Sequence, residues 1–188
     1  RQACTNGGFE SGAPNSIYTF RHAINPNTGV STNIVTTGAN FVPIAVSGAL
    51  NNNNSFLTLV SSGTDPLVPV PRVLNGNRAI KLNASAAPQS TTGYNVTTMS
   101  RSFVVNESSF NYNYSLILQN PGHPANSQPF FVVRLYDINN NIIRQSSVVS
   151  NINDCLFINA GTPGNPLLYT GWVCDQIDTS DLMGQTVR

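Results

Sequence analysis

Phe110-Asn111-Tyr112-Asn113-Tyr114-Ser115-Leu116-Ile117-Leu118 carries the clearest strand signal in the chain. Aromatic and polar residues alternate from Phe110 to Tyr114, and the run then becomes apolar throughout. Period two sends successive side chains to opposite faces of an extended strand, whereas a helix needs apolar residues every three or four positions. Arg78-Ala79-Ile80-Lys81-Leu82-Asn83 alternates in the same way. Similar runs occupy residues 17–21, 41–46, 56–60, 97–105, 130–138, 142–149, 167–173 and 185–188. Turn-formers separate them: Asn75-Gly76, Asn120-Pro121-Gly122, Asn139-Asn140-Asn141 and Gly161-Thr162-Pro163-Gly164-Asn165-Pro166. Short strands punctuated every ~8–12 residues predict an all-β fold, an antiparallel β-sandwich of jelly-roll type. The only helical expectation is one capped turn over residues 178–184, started by Asp178 or Ser180 and ended by Gly184.

The 188 residues suit a single β-sandwich domain over residues 1–188, and 40% hydrophobic content supplies its core. Charged residues make up only 9% of the chain, and Lys81 is its one lysine. Asparagine (26), serine (19) and threonine (16) take their place, leaving a polar surface with a net charge of +1. Exposed helices draw on Glu, Lys, Arg and Ala, which are scarce here. Nine scattered cations form no basic stripe, so nucleic acid is not an expected partner. No run approaches the ~20 apolar residues of a membrane-spanning helix, so membrane insertion is not expected. Aromatic and β-branched residues recur along the chain, which argues against disorder.

The opening Arg1-Gln2-Ala3-Cys4-Thr5-Asn6-Gly7-Gly8 has no apolar signal-peptide core, which reads as a mature, trimmed or partial chain. Residues 184–188 read as the opening of a strand with a frayed, unpaired edge. The expectation is a C-terminally truncated module of a larger protein, lacking its last strand or strands.

Cys4, Cys155 and Cys174 fit no zinc spacing, and His22 and His123 are isolated. Cys155 and Cys174 flank the 161–166 loop and either close it as a disulfide or remain two buried free thiols. Cys4 is then odd, either free or paired outside this chain. The lysine-poor, amide-rich composition reads as extracellular.

Catalytic patterns are absent: there is no G-x-S-x-G elbow, P-loop or dinucleotide fingerprint. Glu10 and Glu107 are the only glutamates, and the aspartates sit mostly at turns, so no carboxylate pair stands out for glycoside hydrolysis. The chain is therefore read as non-catalytic. Asp137-Ile138-Asn139-Asn140-Asn141 begins like a calcium loop but lacks its glycine and terminal glutamate, which favours a polar hairpin turn. Glu10 follows Asn6-Gly7-Gly8-Phe9, where a sharp glycine turn would expose carbonyls to a structural calcium. Asp175, Asp178 and Asp181 read better as caps than as ligands. Tyr94, Tyr112, Tyr114, Tyr169 and Trp172 are candidate sugar-stacking aromatics, with Trp172 assigned to the core. Five N-x-S/T triplets, at Asn53, Asn83, Asn95, Asn106 and Asn113, are no more than this composition yields by chance.

Three stretches carry a family resemblance. Cys4-Thr5-Asn6-Gly7-Gly8-Phe9-Glu10 resembles the N-G-G-F-E opening of secreted carbohydrate-binding-module-like and MAM-like jelly rolls. The stretch from Leu118-Gln119-Asn120-Pro121-Gly122-His123-Pro124 through Gln128-Pro129-Phe130-Phe131-Val132-Val133-Arg134-Leu135-Tyr136-Asp137 resembles the central hairpin of a domain in large Bacteroidota surface proteins. So does Trp172 followed by Asp181-Leu182-Met183-Gly184-Gln185-Thr186-Val187. Such proteins are exported by the type IX secretion system and include gliding-motility adhesins.

The resemblance implies an extracellular, cell-surface β-sandwich that acts as an adhesive, spacing or glycan-binding module. It also implies further strands after Val187, carrying another cysteine and acidic residues near Glu10, the position where related jelly rolls place a structural metal. The implied partners are surface glycans, neighbouring modules of the same chain and, during export, the secretion machinery. No ligand-binding residue follows from it. Two alternatives stay open: a carbohydrate-binding module of a secreted enzyme, and a fimbrial or capsid-type subunit completed by strand addition from a neighbour.

Overall fold

The alternation in Phe110–Tyr114 is realised as a strand with an aromatic inner face and an amide outer face. In the computed structural model, which describes residues 9–10, 17–25, 42–43, 56–83, 94–120, 122 and 128–188, this strand is β7. Before it come β1 (Thr19–Asn25), β2 (Val42–Pro43), β3 (Leu57–Ser61), β4 (Arg78–Leu82), β5 (Tyr94–Ser100) and β6 (Phe103–Val104). After β7 (Ser109–Tyr114) come β8 (Ile117–Gln119), β9 (Phe130–Tyr136), β10 (Ile142–Val149), β11 (Ile158–Asn159), β12 (Leu167–Tyr169), β13 (Val173–Asp178) and β14 (Thr186–Val187). Every pairing among them is antiparallel, so the chain is all-β, as its periodicity predicts.

The main core lies between two layers. β9 and β10 form a hairpin whose Val133, Leu135 and Ile143 face Phe110, Tyr112 and Ile177 of the β7–β13 pair. Val105, Leu182 and Val187 close the same cluster, all at 7% exposure or less. Rings then stack along the inner face from Phe103 to Phe110, Tyr112, Tyr114 and Phe131, with centroids 4.6–6.0 Å apart. Asn111, Asn113, Cys174 and Gln176 are exposed, which is the polar half of the same alternation.

The C-terminal strand corrects an expectation. Far from an unpaired edge, Thr186 and Val187 pair with Val104 and Phe103, and Arg188 exchanges two backbone bonds with Tyr136 (2.8 and 3.0 Å). The strand thus inserts between β6 and β9. Burial of Val187 to 2% exposure anchors it, because an apolar side chain facing the core fixes register. The predicted helical turn is a 3-10 turn at Ser180–Leu182, where Asp178 Oδ1 accepts the Ser180 N–H and Gly184 adopts φ +79°.

Two smaller clusters complete the packing. Phe20 and Leu57 bury together under Tyr18, Leu59, Ile80 and Leu82, joining β1 to the β3–β4 pair. The 62–77 connection between β3 and β4 turns back so that Val68 and Val70 pack on Tyr169. Inside it, the Asp65 carboxylate meets Lys81 Nζ at 2.8 Å and accepts the Leu67 N–H at 2.9 Å. Arg101 occupies the corner between β5 and β6, its guanidinium lying 5.6 Å from the Tyr18 ring centre and 5.7 Å from that of Phe103.

Candidate functional site

Glu10 accepts two backbone N–H groups, those of Asn77 (2.8 Å) and Arg78 (3.2 Å), through Oε1. Those amides hold its carboxyl below the ordinary carboxylate range, the Asn77 bond contributing most. Gly76, at φ +77°, lies against the same oxygen, so any side chain there would collide with it. The carboxylate therefore clamps the turn leading into β4. Asn6, Gly7 and Gly8, whose carbonyls were expected to complete a calcium site, lie outside the described residues. Among the described residues no group of three or more His, Cys, Asp or Glu side chains is gathered as a metal site.

The cysteine expectation needs correction. Cys155 and Cys174 form no disulfide, and neither is a buried thiol: both are free and exposed. Cys174 sits on the outer face of β13 opposite Asn113, and Cys155 lies on the loop after β10. Cys4 and His123 fall outside the described residues. His22 is stacked on Phe56 and bonded through Nδ1 to Thr97 Oγ1 at 3.0 Å, and burial lowers its pKa.

Asp137 is the hairpin residue that its context suggested. Its Oδ1 accepts the N–H groups of Asn139 and Asn141, both at 2.8 Å, and its Oδ2 accepts the Asn141 amide. An Asx turn of this kind lets Asn140 take the left-handed conformation at φ +65° between β9 and β10. Asp181 pairs with Arg144 at 2.7 Å. Asp175 instead joins Tyr112 and Ser146 between the layers, away from Asp178 and Asp181 in role.

The four aromatic candidates with described side chains do not make a platform. Tyr112 and Tyr114 are half-buried in the inner ring stack, and Tyr169 is 9% exposed. Trp172 packs beside Tyr169 in the core cluster and donates its indole N–H to the Pro71 carbonyl at 2.7 Å. The Tyr94 side chain lies outside the described residues.

What pattern reading missed is a cavity at the end of β10, with a volume of about 720 Å³. Its walls come from the last residues of β10, the loop 150–156, the turn after β8 and Gln128 just before β9. Ser147, Ser150, Asn151 and Asp154 line it with hydroxyl, amide and carboxylate groups. Val148, Val149, Ile152 and Leu156 supply apolar surface. Two Asx turns stiffen the loop: Asn151 Oδ1 accepts the Asn153 N–H at 3.0 Å, and Asp154 Oδ1 accepts the Leu156 N–H at 2.9 Å. Ser150 is only 2% exposed, its N–H is bonded to the Pro129 carbonyl, and its hydroxyl has no partner among the described residues. A buried hydroxyl left unpaired costs about 1–3 kcal/mol, so it marks a place where the fold tolerates strain beside a cavity. No local motif signals this site, because its walls converge from three separate chain segments.

No family model, no curated protein and no solved structure matches the chain. The chemistry of the surface therefore carries the functional argument. No helix among the described residues is long and apolar enough to cross a membrane.

Proposed function

We propose that the chain is a non-catalytic module of an extracellular cell-surface protein, serving in adhesion through glycans or as a spacer between neighbouring modules. The observation that carries this reading is the polar groove at the end of β10, lined mainly by amide and hydroxyl residues and framed by an all-β scaffold. Amides and hydroxyls outnumber charged groups there, and Asn111, Asn113 and Gln176 are exposed on the outer face of β7 and β13. Such surfaces exchange hydrogen bonds with sugar hydroxyls without the desolvation cost of ions. The resemblance to type IX-exported adhesin modules supports the cell-surface location and export through that machinery. A structural calcium at Glu10 belongs to the same reading.

A glycan array probed with the folded chain, alongside adhesion of coated beads to glycan-bearing surfaces, tests the proposal. Binding to a defined glycan set is expected. No binding in either format reduces the module to a spacer. The carbohydrate-binding module of a secreted enzyme is the second reading, but the half-buried or buried positions of Tyr112, Tyr114, Tyr169 and Trp172 give it no stacking platform from these residues.

A further inference from the structure

We propose that the cavity at the end of β10 binds one neutral sugar unit, gripped through its hydroxyls and laid against apolar side chains rather than an aromatic ring. This rests on the glycan-binding reading above and specifies its site and ligand class.

The lining is the first argument. Ser147, Asn151 and Asp154 offer both donors and acceptors, while Val148 and Ile152 offer surface suited to the C–H groups of a pyranose. A fully apolar ligand would leave the polar side chains unpaired, and an ordinary peptide would lack the density of hydroxyls that this set can satisfy. The site is a groove open to solvent, and its volume of about 720 Å³ has room for a sugar unit with its neighbouring linkage.

Charge is the second argument. Among the described residues of the lining, Asp154 is the one ionisable group. A carboxylate accepts strong hydrogen bonds from sugar hydroxyls, whereas it repels a uronate or a sulfated sugar. The lining thus discriminates by sign.

Preorganisation is the third argument. The Asx turns at Asn151 and Asp154 hold the loop wall without a ligand, so binding orders few additional groups.

The test uses the full chain, labelled with nitrogen-15 and titrated with methyl glycosides of glucose, galactose and mannose, and in parallel with methyl glucuronoside. Saturable amide shifts confined to residues 147–156 are expected with at least one neutral sugar, and none with the uronide. Ser147→Trp, at an exposed strand position, fills the cavity and should weaken binding at least tenfold with an unchanged melting temperature. Ile152→Asp, at an exposed loop position, is the second variant and should weaken binding by removing apolar surface and adding charge. Equal response to the uronide, shifts centred elsewhere, or full affinity in both folded variants would overturn the proposal. A chain that binds array glycans with a silent cavity sinks this inference alone. A chain that binds neither glycans nor the simple sugars sinks the glycan-binding reading with it.

Discussion

The Tyr112 hydroxyl donates to Asp175 Oδ2 at 2.5 Å, and the two residues stand directly opposite each other on β7 and β13. Ser146 of β10 donates to the same carboxylate oxygen at 3.2 Å, so one acid ties both layers of the sandwich together. Burial, and then the bond to Asp175, pushes the Tyr112 pKa up to about 12. The same bond is the main reason that Asp175 is held below its ordinary range.

The pH dependence follows from those opposite shifts. Tyr112 is raised, so its contribution is complete below the ordinary tyrosine range near 10 and is lost as pH climbs towards about 12. Asp175 is lowered, so its contribution is present above the ordinary aspartate range and is lost as pH falls through its depressed value. Asp175→Asn should bring the Tyr112 phenolate transition to lower pH, read by ultraviolet difference titration. It should also cost about 1 kcal/mol of stability near neutrality, the scale of one net hydrogen bond. An unmoved phenolate transition would dissociate the tyrosine from the acid.

At Glu10 the amide clamp gives its own expectation. Glu10→Gln should lower the melting temperature with or without a chelator, since the carboxylate stabilises the turn at residues 76–78 through backbone bonds. The wild-type advantage should fade as pH falls through the depressed Glu10 pKa, because protonation removes the charge that those amides favour. A melting shift on chelation that the variant abolishes would add calcium binding to the role of the same carboxylate.

The pair of Lys81 with Asp65 is more enclosed, with side-chain exposures of 27% and 6%. Lys81→Met leaves the aspartate without its cation and should cost about 1–3 kcal/mol, less than the ~3–5 of a fully buried pair because Lys81 still reaches water. The double variant with Asp65→Asn should recover part of that loss in urea unfolding. Strict additivity of the two substitutions would show that the contact contributes no coupling.

Thiol chemistry checks the corrected cysteine assignment. Both Cys155 and Cys174 are exposed and free, so a water-soluble thiol reagent should modify both in the native protein without reductant. Mapping of the labelled peptides reads the result. Protection of both sites until reductant is added would reinstate the disulfide.

Much of the strand pattern is legible locally. The predicted strand over residues 142–149 coincides with β10, and the predicted runs at 78–83 and 130–138 contain β4 and β9. The run at 110–119 breaks into β7 and β8 at Ser115-Leu116, where Thr170 Oγ1 accepts the Leu116 N–H and interrupts the ladder. β13 lies largely outside the predicted runs because Cys174, Asp175 and Gln176 carry no apolar signal. Its register comes from pairing with β7, some 60 residues earlier, and from Ile177 reaching the core.

By itself the sequence determined an all-β chain, its turns and its charge-poor surface, because strand periodicity, turn chemistry and composition act over a few residues. Only the tertiary structure decided that the last strand is inserted between β6 and β9, that Glu10 clamps a turn, and that the two cysteines stand apart and exposed. It alone assembled the cavity at the end of β10 as well. Those outcomes depend on which distant backbone and side-chain groups meet, and a hydrogen bond spanning 63 residues, like that of Tyr112 to Asp175, leaves no local trace in either segment.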